Sequence, residues 1–264
     1  MRLSSRVVLP ALLLLPSAAA FGQDLPEIRE KGTLRILVVP CANDDEFFSL
    51  GSRPGLDHEL VDAFCSLQKL KAEVVPVSTW DGLVPALRAG KGDVIAGSFS
   101  NTEARRKLID FTSEVFPTRN VVVTLKPHKA IRDLEELKGE RVGIVRGTSM
   151  GEALAEAGIP HSAIDDTSPA GGLLQALKQG KVSAGVMGVE QAISAQRTEP
   201  SLDLGPFIGI PGSLAWGVRK DSPLLLRALN DYVDNVRKTQ TWSRLVIKYF
   251  GERAPEILKK ARGD

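Results

Sequence analysis

The chain has 264 residues, 43% hydrophobic and 25% charged, enough for one large domain or two modest ones around a full core. That composition excludes disordered and fibrous classes. The formal net charge is +2, and its excess lies at the N-terminus.

"MRLSSR" is a short basic start, "VVLPALLLLP" an apolar run, and "SAAAFGQD" a stretch of small residues. That order reads as a secretory signal peptide over 1–22, with cleavage after Ala20 or Gly22. A membrane-spanning helix would need about 20 uninterrupted apolar residues, and Pro10 and Pro16 break this shorter run. Losing Arg2 and Arg6 takes the 34 basic side chains to 32, equal to the 32 acidic ones. Neither a nucleic acid nor an acidic membrane is therefore expected as a partner.

The mature chain alternates strands with helices. "LRILVV" (34–39) is β-rich, and "GLDHELVDAFCSLQKL" (55–70) has helical spacing with Asp57 placed to cap its first turn. "AEVVPVS" (72–78) is a strand, "DGLVPALRAG" (81–90) a helix stopped by glycine, and "GDVIAGSF" (92–99) a third strand. The order restarts with a strand at 120–125, a helix at 130–140, a strand at 141–145 and a helix within 146–158. Helix 171–180, strand 182–188, strand 213–220 and two closing helices at 222–239 and 241–249 follow. Such β-α-β order implies mostly parallel sheets with helices on their faces, and ligands bind beyond the carboxyl ends of the strands. Two α/β units with no Pro-, Ser- or Gly-rich tether between them suggest two hinged lobes with a site in the cleft.

Cys41 and Cys65 sit in an exported chain, where either a disulfide or two buried thiols would persist. His58, His128 and His161 are scattered, so no metal site and no cofactor are expected.

Four segments carry a family resemblance. "GLDHELVDAF" resembles the G-F-D-x-D-L-x-x-A first helix of the family 3 extracellular solute-binding proteins, the amino-acid-binding receptors of ABC importers. "WDGLVPALRAGKGDVIAGSFSNTEARRKLIDFT" is similar to that family's W-D-G-L-I-P-A-L signature, "GIVRGTSMGEAL" to its second-lobe V-x-x-G-T-T-x-E turn, and "WGVRKDSPLLLRALNDYVDNVRKTQTWSRLVIKYFG" to its ending. The resemblance covers essentially the whole mature chain. It implies a two-lobed type II periplasmic-binding-protein fold, with lobe 1 over 24–114 and 219–264, lobe 2 over 120–213, and hinge segments 115–119 and 214–218.

Aligned on Asp110-Phe111, Arg105 falls on the family's arginine for the ligand carboxylate. A guanidinium's paired N–H donors match two carboxylate oxygens, and a dry cleft strengthens that pair. Arg106 and Lys107 read as a solvated face. The resemblance implies further contacts from Ser98 and Ser100 to an ammonium, from Trp80 over the ligand, from Phe47 or Phe48 on the other side, and from Thr148 and Ser149 at the start of a helix. Arg146, before that turn, could also face the cleft. The family's usual aspartate for the ammonium aligns with Gly188. Glu190 substitutes for it, or Asp44-Asp45 do, or the ligand has no ammonium.

The leading function implied is a monomeric periplasmic receptor that captures a small carboxylate-bearing ligand, an amino acid or relative, for an ABC permease. The alternative is an enzyme resembling periplasmic cyclohexadienyl (prephenate or arogenate) dehydratases, with Glu190 as general acid or base. A sensor or accessory module is a third possibility.

Overall fold

The computed structural model describes residues 24–40 and 46–263. The signal segment, Cys41, Asp44 and Asp45 lie outside the described residues.

Lobe 1 begins with α1 (Leu25–Lys31), whose N-cap Asp24 forms a capping box with Glu27. The same carboxylate accepts from Leu224 N at 3.0 Å and Leu225 N at 2.7 Å, so one aspartate caps both chain-terminal portions of the lobe. There follow β1 (Thr33–Val38), α2 (Leu56–Gln68), β2 (Lys71–Pro76), α3 (Leu83–Arg88), β3 (Val94–Ile95), α4 (Glu103–Arg106) and β4 (Asp110–Phe111).

The chain then builds the second sheet. Its elements are β5 (Phe116–Leu125), α5 (Leu134–Leu137), β6 (Val142–Val145), α6 (Met150–Glu156), β7 (Ile164–Ser168), α7 (Leu173–Lys178), β8 (Ala184–Gly188), α8 (Val189–Ala195) and β9 (Leu202–Leu214). It returns through β10 (Gly217–Val218), α9 (Pro223–Arg237), α10 (Gln240–Phe250) and α11 (Ala254–Arg262).

The two five-stranded sheets have matching orders, β2-β1-β3-β10-β4 and β7-β6-β8-β5-β9. In each, three neighbouring strands are parallel, and the strand just entered from the other lobe, β10 or β5, runs opposite to both neighbours. The carboxyl ends of the parallel strands thus border the cleft.

Two short pieces link the sheets. Val115 N donates to Leu214 O and Thr112 N to Trp216 O, each at 2.9 Å. Phe116–Arg119 already belong to β5, and Gly217–Val218 to the first sheet. What reads as one strand at 213–220 is the end of β9 and the whole of β10, broken at Ala215-Trp216.

Other departures have local causes. The strand expected over 92–99 leaves its ladder after Ile95, because Gly97 (φ 88°) and Ser98 (φ 60°) turn left-handed. Asp57 does not cap α2. The N-cap is Gly55, and the Asp57 carboxylate turns inward to accept from Gly97 N at 2.8 Å and Ser98 N at 3.2 Å. α11 packs against β5, α8 and β9 of lobe 2, burying Ala254, Ile257 and Ala261. Cys65 is buried, which pushes its thiol up to about 12.

Candidate functional site

A cavity of about 480 Å³ lies between the two sheets, and Arg105, Ser98, Ser100, Trp80, Thr148, Ser149 and Glu190 all line it. Phe47 does not. It is 1% exposed in the lobe 1 core, with its ring edge-on to Phe116 at 5.3 Å and to Phe250 at 5.5 Å. Phe48 is buried as well, stacked on the His58 ring at 4.3 Å. The family resemblance puts Phe47 or Phe48 beside the ligand, but both apolar rings are buried in aromatic packing instead.

Arg105 is positioned from the short helix α4, where Thr102 caps the turn by accepting from Arg105 N at 3.3 Å. Its Nη1 donates to Ser100 O at 2.9 Å, and its Cζ lies 4.1 Å from the Phe99 ring centroid. Its Nη2 crosses the cleft to donate to Gly147 O at 3.2 Å. Burial pushes its pKa down to about 10, partly offset by Glu152, so it stays charged at neutral pH. Arg106 and Lys107 are exposed, engaging Asn101 and Glu103 on their own segment.

The lobes meet closely around Arg105. Gly147 is left-handed (φ 73°), and a Cβ there would sit 2.5 Å from Asp81 N in lobe 1. Only glycine permits that approach. Ser149 Oγ donates to Ser100 Oγ at 3.1 Å, and Arg197 pairs with Glu46 across the cleft at 3.0 Å. Thr148 Oγ1 donates to Val145 O at 2.7 Å, which anchors the turn into α6. Arg146 is turned toward Asp166, 3.7 Å away, and is not a lining residue.

At the lobe 2 wall, Glu190 opens α8 and is 1% exposed. Thr118 Oγ1 donates to its Oε2 at 2.8 Å. A Cβ built on Gly188 would fall 2.0 Å from Glu190 Oε1 and 2.7 Å from its carboxyl carbon. The missing side chain at 188 is what makes room for the Glu190 carboxylate. One buried guanidinium and one buried carboxylate therefore face a common cavity.

Several lining residues escape the sequence reading. Thr118 and Asn120 project from alternate positions of β5, and Asn120 pairs with Gly188 in the ladder. Extending that strand back to Phe116 would have exposed this i, i+2 pair. Met150, Leu173, Leu174 and Met187 form an apolar wall that carries no polar signal. Among the described residues, no group of three or more His, Cys, Asp or Glu side chains could hold a metal ion. No helix among them is long and apolar enough to cross a membrane.

Comparison with known proteins identifies the family and the fold. Residues 43–252 match the model of the bacterial extracellular solute-binding proteins, family 3. A "Probable histidine-binding protein" of Campylobacter jejuni is 30% identical over 64% of the chain, a match that spans 65% of that protein's length. The lysine/arginine/ornithine-binding periplasmic protein of Escherichia coli K12 is 27% identical over 93% of the chain and 96% of its own. An ancestral amino acid-binding protein described as a precursor of cyclohexadienyl dehydratase superposes with a TM-score of 0.76 and 26% identity, covering 86% of this chain and 99% of that one. The paired sheets with crossover strands are the type II periplasmic-binding-protein fold, and the chain belongs to the family 3 bacterial extracellular solute-binding proteins.

Proposed function

We propose that the chain is a periplasmic receptor for an amino acid or a closely related small zwitterion, which it passes to the permease of an ABC importer. The carrying observation is the pair Arg105 and Glu190, a buried guanidinium and a buried carboxyl group lining one interlobe cavity. Arg105 matches a carboxylate and Glu190 a cationic nitrogen, with Thr118 steadying the latter. Trp80, Met150, Leu174 and Met187 offer apolar surface to the rest of the ligand. A ligand touching both lobes binds the closed form better than the open one, and this difference shifts the population toward closure. The names of the histidine- and lysine/arginine/ornithine-binding relatives support the ligand class.

Calorimetric titration with L-histidine, L-arginine, L-lysine and L-ornithine tests the reading. Saturable binding that Arg105→Ala removes supports it, and heats indistinguishable from dilution for all four count against it.

A dehydratase-like activity is the second reading, favoured by one observation: a buried carboxylate, Glu190, in a cavity that also holds a cation. The similarity to a precursor of cyclohexadienyl dehydratase bears on the same point. Incubation with prephenate or arogenate separates the two. Turnover abolished by Glu190→Gln would establish the enzyme, and absence of turnover leaves the receptor.

A further inference from the structure

Asp57 is a buried carboxylate on α2 that neither caps its helix nor lines the cavity. Its Oδ2 instead receives two successive backbone N–H groups, Gly97 at 2.8 Å and Ser98 at 3.2 Å. Successive N–H groups converging on one anion make an anion nest, and here the anion is supplied by the protein. Both nest residues are left-handed, at φ 88° and φ 60°. Glycine takes that conformation freely, but a serine with its Cβ does so only when the surroundings enforce it. Downstream, the segment is held separately: Ser100 bridges Leu214, and Asn101 N donates to Ser213 O. The turn at 97–98 therefore has its own fastener, at the point where the chain leaves β3 for the cleft.

We infer that Asp57 is a positioning residue for ligand capture, holding the Gly97–Ser98 turn left-handed so that Ser98 presents itself to the cavity. The inference rests on the reading of that cavity as the ligand site. Ser98 lines the cavity directly, and Ser100 O accepts from Arg105 Nη1. A displaced turn would move Ser98 in the cavity wall without any contact between Asp57 and ligand.

The test combines Asp57→Asn, Ser98→Gly and their double variant. Amide exchange at Gly97 and Ser98 in the ligand-free protein reads the turn itself. Titration with L-histidine, L-arginine, L-lysine and L-ornithine reads capture, and the ligand-free melting temperature reads the fold. Asp57→Asn should speed exchange at both amides and weaken binding by about tenfold or more, the scale of one charge-assisted hydrogen bond. In that background Ser98→Gly should slow exchange at both amides again, because glycine adopts the left-handed conformation without the Cβ penalty, while affinity stays low because the Ser98 contact with the cavity is lost as well. A role confined to stability would lower the melting temperature and leave the affinity of the folded fraction of Asp57→Asn unchanged. That result, or unchanged exchange at both amides, overturns the inference. If no probe binds the wild-type protein, the ligand reading fails and the inference with it, while the exchange data still report separately whether Asp57 holds the turn. Should Asp57→Asn not fold, Asp57→Glu is measured in its place, with faster exchange and weaker binding expected from its displaced carboxylate, and wild-type values for both overturning the inference.

Discussion

Gly188 and Glu190 share one space: a Cβ on Gly188 would lie 2.0 Å from Glu190 Oε1. The carboxylate at this wall of the cavity thus arrives from the first turn of α8 and not from the end of β8. Glycine at 188 is a condition for it, since even a methyl group there would push the carboxylate away.

Glu190→Gln should weaken a zwitterionic ligand by about 2–4 kcal/mol, roughly 30- to 1,000-fold in Kd, the range for losing one partner of a buried charge pair. Gly188→Ala should weaken it in the same direction by displacing the carboxylate. Titration calorimetry checks both, and wild-type affinity in Glu190→Gln would remove Glu190 from the site.

The three adjacent cations of "ARRK" should behave unequally. Arg105→Ala removes the buried guanidinium between Ser100 O and Gly147 O, and binding of a carboxylate ligand should fall at least about 100-fold. Arg106→Ala touches an exposed side chain bonded only within its own segment, and Kd should stay within about twofold. Comparable losses from both variants would contradict the assignment.

Acid stability should depend on Glu59, which receives hydrogen bonds from Lys248 and Tyr249 and so ties α2 to α10. Burial pushes its carboxyl up, but those hydrogen bonds and the nearby Lys248 charge outweigh burial and hold its pKa below the ordinary 4.5. Its folded-state pKa is depressed, so its stabilisation is present above about pH 4.5 and is lost as pH falls through the folded value. Melting curves from pH 7 to pH 3 should show a smaller acid-induced drop for Glu59→Gln than for wild type. Parallel curves would exclude the effect.

The C-terminal helix should contribute to folding through one face. Ile257 is fully buried where α11 meets lobe 2, and Ile257→Ala should cost about 3 kcal/mol in denaturant unfolding. Ile247, 62% exposed on α10, should change stability by no more than about 0.5 kcal/mol when made alanine. Equal effects would mean that α11 is not docked as described.

Much of this architecture was legible because apolar periodicity carries it: β1, α2, β2, β6 and β8 stand close to where alternation and helical spacing placed them. β9 and β7 were not legible. The first contains Gly205, Pro206, Gly209, Pro211 and Gly212, and the second reads "IDDTS", so neither shows strand alternation. Their pairing comes from the sheet edge each one occupies. At the site, Arg105, Ser98, Ser100 and Trp80 line the cavity; charge alone does not separate Arg105 from Arg106 and Lys107, and it is the family resemblance that singles it out. Phe47 was misplaced because an aromatic looks alike in sequence whether it walls a cavity or fills a core. Glu190 stood out only as a carboxylate near a gap, and its occupation of the space beside Gly188 is a three-dimensional fact.

The most direct measurement is the melting temperature of ligand-stripped protein with each of the twenty amino acids in turn. Ligand at 100 times its Kd adds about 2.7 kcal/mol of stability, about 5–10 °C for a chain of this size. At least one amino acid should raise the melting temperature on that scale, and Arg105→Ala should abolish the rise. No shift with any of the twenty at millimolar concentration would contradict the account.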